Sequence, residues 1–246
     1  MNRAKVVVQG DTSGITGLAS QASQFDYPTA ATLTKHEVCS CIEDVGIVPS
    51  LVEASSDDTA FVAEALNEAG IPIIEVSFNL PNAIDIVSHL VEHVPTTIVG
   101  VGSVRNTGVA RRCLDAGAKF LSTDGLIPEV VEFALNEKVT GITGALTLTE
   151  IISTWDAGTD FVKVVPCHAV GGHNYIRALK ASVPQARLIA AGGINELTAA
   201  NYIAAGCAAL GIGKALIPTE AVLLRQTRRI QELARRFLSA VDKGRT

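Results

Sequence analysis

Short apolar runs recur along the chain from about residue 34, each followed by a Gly or polar loop and then by a stretch of helical periodicity. The runs are Gly46–Val52, Ile71–Val76, Thr97–Val101, Ala118–Ser122, Val139–Ala145, Asp160–Val165, Arg187–Ala191 and Cys207–Ile212. They succeed one another every 20 to 27 residues, counted from their first residues, roughly the length that a parallel strand–helix–strand crossover needs. Most are apolar on both faces, as strands covered on both sides are. Helix punctuation falls between them. Thr34 with Glu37, Ser55 with Asp58 and Thr147 with Glu150 have the spacing of capping boxes. The first predicts a short helix before the first strand, the second a helix over Ala60–Leu66 ending near Gly70, and the third one over Ile151–Trp155. Pro128 opens a helix over Glu129–Leu135. Asn195 is placed to cap Leu197–Ala205, which stops at Gly206. A last helix over Thr219–Val241 puts Ile230, Leu233, Ala234, Phe237 and Val241 on one face, with its arginines on the solvated side.

Eight such units predict a closed (β/α)8 TIM barrel over residues 34–246. An open doubly wound sheet is the alternative, but no GxGxxG follows the first run. Residues 1–33 fit no unit and read as an N-terminal extension, a tail or an arm. Composition agrees. The 246 residues suit one barrel, and 48% are hydrophobic but only 4% aromatic, so the core is built from Ala, Val, Ile and Leu. A net charge of −5 offers no general positive field for nucleic acid. Cys39, Cys41, Cys113, Cys167 and Cys207 lack metal-ligand spacing and read as free thiols of a reducing cytoplasm. The longest uncharged stretch, Leu197 to Gly213, reads as helix plus strand, so no membrane span is expected.

Polar side chains inside apolar strands point to chemistry. Glu75 lies in Ile71-Pro-Ile-Ile-Glu-Val76 and Lys163 in Phe161-Val-Lys-Val-Val165, near the C-terminal ends of the second and sixth strands. Barrel active sites lie at those ends, and alternate strands feed one interior layer, so the two side chains are expected to meet in the mouth. A lysine in an apolar barrel loses hydration, which favours the neutral amine. Such an amine forms Schiff bases with carbonyl substrates, and a facing carboxylate shuttles protons. A buried structural ion pair, or a lysine snorkelling from the strand end, gives the same pattern. Gly192-Gly193-Ile194-Asn195 after the seventh strand and Gly211-Ile-Gly213-Lys214 after the eighth point to phosphate held by backbone N–H groups and a helix N-terminus. Tight turns are the plainer reading of those glycines. Gly100-Val-Gly-Ser103 allows close backbone approach and offers the Ser103 hydroxyl. Cys167 and His168, being consecutive, point apart and make a poor nucleophilic pair.

In order and barrel position, Ile74-Glu-Val-Ser77, Gly100-Val-Gly-Ser-Val104, Phe161-Val-Lys-Val-Val-Pro166, Gly192-Gly-Ile194 and Gly211-Ile-Gly213 resemble the motif series of the 2-keto-3-deoxy-6-phosphogluconate/4-hydroxy-2-oxoglutarate (KDPG/KHG) aldolase family. Tyr175-Ile-Arg-Ala-Leu-Lys180 resembles the helix after that family's lysine strand, and the similarity runs from about Gly46 to Pro218. The resemblance implies a class I aldolase that needs no metal or cofactor and is usually a homotrimer. It implies that Lys163 forms a Schiff base with a 2-keto acid and that Glu75 is the general acid/base. Ser103, where the family usually has Thr, would contact the keto-acid end. The loops of Gly192, Gly193 and Gly213 would hold a distal phosphate, and Pro166 of the lysine motif joins the substrate-binding positions.

Three positions depart from the family. Asn79 replaces an Arg that helps to hold the substrate carboxylate, and an amide lacks the charge-assisted fork. Thr123-Asp124-Gly125 replaces Ser-Pro-Gly, so Asp124 would repel an anionic substrate or supply another proton-transfer group. Lys214 replaces a Ser and adds positive charge at the phosphate end. The expected reaction joins or splits pyruvate and a phosphorylated aldehyde. Two other readings stand beside it: a phosphosugar isomerase or epimerase with Glu75 or Asp124 as base, and a barrel that binds a sugar acid without turnover.

Overall fold

The computed structural model describes residues 29–51 and 55–246. Eight parallel strands among them close into a barrel in sequence order. They are β1 (Ile47–Leu51), β2 (Ile73–Ser77), β3 (Ile98–Gly102), β4 (Phe120–Ser122), β5 (Thr140–Ala145), β6 (Phe161–Val164), β7 (Leu188–Ala191) and β8 (Cys207–Ile212). Pairing of β1 with β8, through Ile47 with Leu210, Val48 with Gly211 and Pro49 with Ile212, distinguishes this barrel from the open sheet. The ring outside is formed by α2 (Ser56–Glu68), α3 (Ala83–His93), α4 (Thr107–Asp115), α5 (Pro128–Asn136), α6 (Leu148–Asp156), α7 (His173–Ser182) and α8 (Ala199–Ala204), and a last helix over Thr227–Arg245 closes it between α8 and α2. The apolar runs match the strands to about two residues at either end, the usual uncertainty of an element boundary. All three capping boxes form.

The first of these caps opens α1 (Lys35–Val45), which ends at Gly46 in the left-handed region and turns directly into β1. This helix lies across the N-terminal ends of the strands. The Thr140 hydroxyl at the start of β5 donates to the Lys35 carbonyl at 3.3 Å. Lys35 Nζ lies 2.9 Å from Asp160, whose carboxylate also accepts the Gly141 N–H at 2.8 Å. The barrel is closed at this end, and its cavity opens at the other.

Two helix expectations need correction. Thr219–Val241 is not one helix: α9 (Thr219–Leu223) and α10 (Thr227–Arg245) are separated by a turn with Arg225 in the left-handed region. The Gln226 N–H closes that turn onto the Ala221 carbonyl at 2.8 Å. Arg225 is held there by Asp58 at 3.0 Å and by the Phe61 ring, whose centroid lies 4.9 Å from the guanidinium carbon. The redirected α10 packs against α2 and α8, burying Ile230, Ala234, Phe237 and Val241 as its periodicity predicts. Asn195 does not cap a helix at Leu197. Its side chain accepts from the N–H groups of Leu197 and Thr198 in a turn, Leu197 is 89% exposed, and α8 begins only at Ala199. The loop after β7 therefore presents a turn, not a helix N-terminus, to any ligand.

Most of the 1–33 extension lies outside the described residues. Its final residues form a short 3-10 turn, Ala30–Thr32, where Ala30 is buried and its N–H donates to the Pro95 carbonyl at 2.8 Å. Among the described residues no helix is long and apolar enough to cross a membrane. The five cysteines are all buried, and none is in a disulfide.

The Asn106 side chain caps α4 by accepting the Val109 N–H at 2.9 Å. Asn106→Ala is expected to cost about 1 kcal/mol, read as a lower denaturant midpoint with an unchanged slope.

Candidate active site

Glu75 on β2 and Lys163 on β6 meet inside the barrel, with Lys163 Nζ 3.5 Å from Glu75 Oε1. They are 7% and 8% exposed. Small residues on the intervening strands make room for them. Gly100 and Ser50 lie beside Glu75 in the register, and Gly144 lies beside Lys163. A Cβ at Gly102 would stand 2.6 Å from Glu75 Oε1, and one at Gly100 would stand 2.2 Å from the Phe120 ring. Both glycines thus admit side chains from the neighbouring even-numbered strands, which is the close approach their sequence allows.

Two hydroxyls complete the pair. Lys163 Nζ donates to Ser122 Oγ at 2.6 Å, and Ser50 Oγ donates to Glu75 Oε1 at 3.3 Å. Neither serine was singled out in the sequence, although the rule that found Glu75 and Lys163, a polar residue within an apolar strand, applies to both. It applies equally to Ser77 on β2, which is buried.

Above the pair lies a cavity of about 250 Å³. Its polar lining is Ser50, Glu75, Ser77, Ser103, Asp124 and Lys163, with the backbone of Gly192, Gly211 and Gly213 and apolar walls from Val48, Ile142, Val165, Ile189 and Ala191. Lys163 is the single cation among these lining residues, against two carboxylates. Ser103 holds its place in the left-handed region, with φ 58°. Asp124 stands exposed at the rim. Its loop rests directly on β5, since a Cβ at Gly144 would meet the Asp124 carbonyl carbon at 2.3 Å.

Of the ten positions singled out in the sequence, six line this cavity: Glu75, Lys163, Ser103, Asp124, Gly192 and Gly213. Asn79, Pro166, Gly193 and Lys214 are not part of the lining. Asn79 follows β2, with its N–H donating to Ser77 Oγ at 3.3 Å. Lys214 is exposed next to Gly213. Gly192 and Gly193, with φ 86° and 83°, pack the β7 loop onto the β6 loop. A Cβ at Gly192 would lie 3.0 Å from Pro166 Cα, and one at Gly193 would lie 2.4 Å from His168 Cβ. Cys167 is wholly buried, its thiol donating to the Gly172 carbonyl at 3.6 Å, and burial pushes it up to about 11. That environment suppresses the thiolate and leaves no nucleophile for His168 to activate. Among the described residues no cluster of His, Cys, Asp and Glu could hold a metal ion.

The profile of the aldolase family described as KDPG and KHG aldolase matches residues 38–233. The chain belongs to this family. A KHG/KDPG aldolase of Escherichia coli (strain K12) is 29% identical over 189 residues, which cover 77% of this chain and 89% of that protein. A probable 2-dehydro-3-deoxy-6-phosphogalactonate aldolase of Rhizobium meliloti is 29% identical over 157 residues, covering 63% and 74%. Among solved structures, the KDPG aldolase of Legionella pneumophila superposes with a TM-score of 0.75 at 26% identity, covering 80% of this chain and 96% of that one. That structure contains pyruvate captured as a covalent carbinolamine intermediate. Membership makes this protein an aldehyde-lyase of the Schiff-base class.

Because Gly102 makes room for the Glu75 carboxylate, Gly102→Ala should displace that group and lower turnover by roughly 10- to 100-fold while the protein stays folded. Steady-state kinetics alongside circular dichroism checks both halves.

Proposed function

We propose that this family member joins and splits pyruvate and an aldehyde through a Schiff base on Lys163, with Glu75 as the proton carrier. The observation that supports it is the contact at 3.5 Å between a buried amine and a buried carboxylate beneath the cavity. Glu75 accepts a proton from the Lys163 ammonium, freeing the amine to attack the C2 carbonyl of the 2-keto acid. Returning that proton to the carbinolamine hydroxyl expels water and leaves a cationic iminium. In cleavage, Glu75 then takes the proton of the C4 hydroxyl, the C3–C4 bond breaks, and its electron pair flows into the iminium to give an enamine and the free aldehyde. Protonation of the enamine at C3 by Glu75 restores the iminium, and water releases pyruvate from Lys163.

In this reading Ser103 hydrogen-bonds the keto-acid end. Asn79 contributes an amide where the family's charged fork is missing, and the lost charge weakens the hold on the carboxylate. Asp124 faces the incoming aldehyde from the rim. Gly192, Gly213 and Lys214 receive the phosphate of a phosphorylated aldehyde, while Gly193 and Pro166 hold the loops that carry it. The name of the Rhizobium meliloti relative, which acts on a phosphorylated sugar acid, supports such a substrate. A cytoplasmic homotrimer completes the proposal.

Incubation with pyruvate and borohydride, followed by peptide mass spectrometry, is expected to give a reduced adduct on Lys163. Lys163→Ala should abolish turnover. A loss of less than about tenfold would remove Lys163 from this role, since a covalent nucleophile is not replaced by its neighbours.

A further inference from the structure

The mechanism above uses the lysine and the glutamate but leaves the closest partner of the lysine without a task. That partner is Ser122, whose Oγ lies 2.6 Å from Nζ, nearly an ångström nearer than Glu75 Oε1. Ser122 is the last residue of β4 and is wholly buried. Its backbone is pinned on both sides, the carbonyl accepting the Val104 N–H at 3.0 Å and the register pairing it with Ile142. Strands β2, β4 and β6 alternate around the barrel, and side chains of alternate strands share one interior layer. Ser122 is therefore the β4 member of the layer that contains Glu75 and Lys163.

We infer that Ser122 is a positioning residue for the Schiff-base nitrogen, accepting the N–H that Lys163 keeps through the carbinolamine, iminium and enamine. This inference rests on the Schiff-base reading of Lys163. Attack on the keto acid leaves one hydrogen on Nζ, and none of the later steps removes it. Glu75 cannot be its standing acceptor, because Glu75 must turn to the carbinolamine hydroxyl, the C4 hydroxyl and C3 in succession. With Ser122 as acceptor, rotation about the Lys163 Cε–Nζ bond is fixed. The plane of the C=N bond is then set, with the substrate carbons on the side away from β4. Electron flow from C3–C4 into the iminium requires that bond to stand perpendicular to this plane. A neutral oxygen is suited to the task. It stabilises the cationic iminium through a charge-assisted hydrogen bond without competing for its proton as a second carboxylate would.

The test compares the full-length protein with Ser122→Ala and Ser122→Thr. Borohydride trapping with pyruvate locates the adduct, and exchange of the pyruvate methyl hydrogens in D2O, followed by NMR, gives kcat and KM for enamine formation. In Ser122→Ala the adduct should still form on Lys163 and KM should stay near the wild-type value. The kcat for exchange should fall about 10- to 100-fold, the range of a lost hydrogen bond to a charged group. Ser122→Thr keeps the oxygen and should recover most of that loss. Exchange by Ser122→Ala at the wild-type kcat, or a change confined to KM, overturns the inference. If Ser122→Ala does not fold, Ser122→Cys is read instead: its weaker acceptor should lower kcat, and a wild-type kcat again overturns the inference. A wild-type protein that exchanges the methyl hydrogens without an adduct on Lys163 overturns the Schiff-base reading and this inference together. A wild-type adduct with an indifferent Ser122 overturns this inference alone.

Discussion

An amine and a carboxylate held in contact inside an apolar barrel set the terms for the rest of this structure. Taking either charge out of water is costly, and their mutual attraction offsets that cost only when the remaining donors and acceptors are also satisfied. The barrel meets the condition with hydroxyls, Ser122 on the lysine and Ser50 on the glutamate. It meets the accompanying steric demand with Gly100, Gly102 and Gly144, where a single methyl would collide with a side chain or a loop. Even-numbered strands supply Glu75, Ser122 and Lys163, while the odd-numbered strands yield them space at these glycines and add the Ser50 hydroxyl from β1. The polar pair, the hydroxyls and the glycines form one arrangement, and none is intelligible without the others.

The strands were legible because a barrel strand is buried on both faces and so leaves a largely apolar run, as in Ile71–Val76 and Arg187–Ala191. Glu75 and Lys163 stood out against those runs by charge. Ser50, Ser77 and Ser122 were hidden by being small and neutral. A serine in a strand is unremarked until the register shows which residues share its layer, and register is not written in a single strand. The helix errors have a similar origin. Apolar periodicity continued through 219–241, but the left-handed Arg225, fixed by partners on α2, divides the helix. Leu197 kept the right spacing for a helix face yet sits in an exposed turn. In both cases a tertiary contact or a local side-chain bond overrode the pattern.

The glycine motifs teach a different point. Read as a string, Gly100-Val-Gly102 allowed close backbone approach, and Gly192-Gly193 pointed to a phosphate or to a tight turn. In the fold, Gly100 and Gly102 face Phe120 and Glu75, and Gly193 faces His168. Gly192 both packs on Pro166 and lines the cavity, so it alone of these four serves packing and pocket together. A motif can therefore mark a functional site correctly while its residues act on the protein rather than on the substrate.

The helix α1 sealing the lower end of the barrel has a kinetic consequence. If Lys163 tethers the keto acid as proposed, its place at the base of the cavity makes the two reactants queue. In that reading the keto acid enters first and becomes tethered, the aldehyde fills the space behind it, and on cleavage the aldehyde departs while its partner is still covalently held. The order of traffic is imposed by the architecture of a cul-de-sac and needs no gate to enforce it.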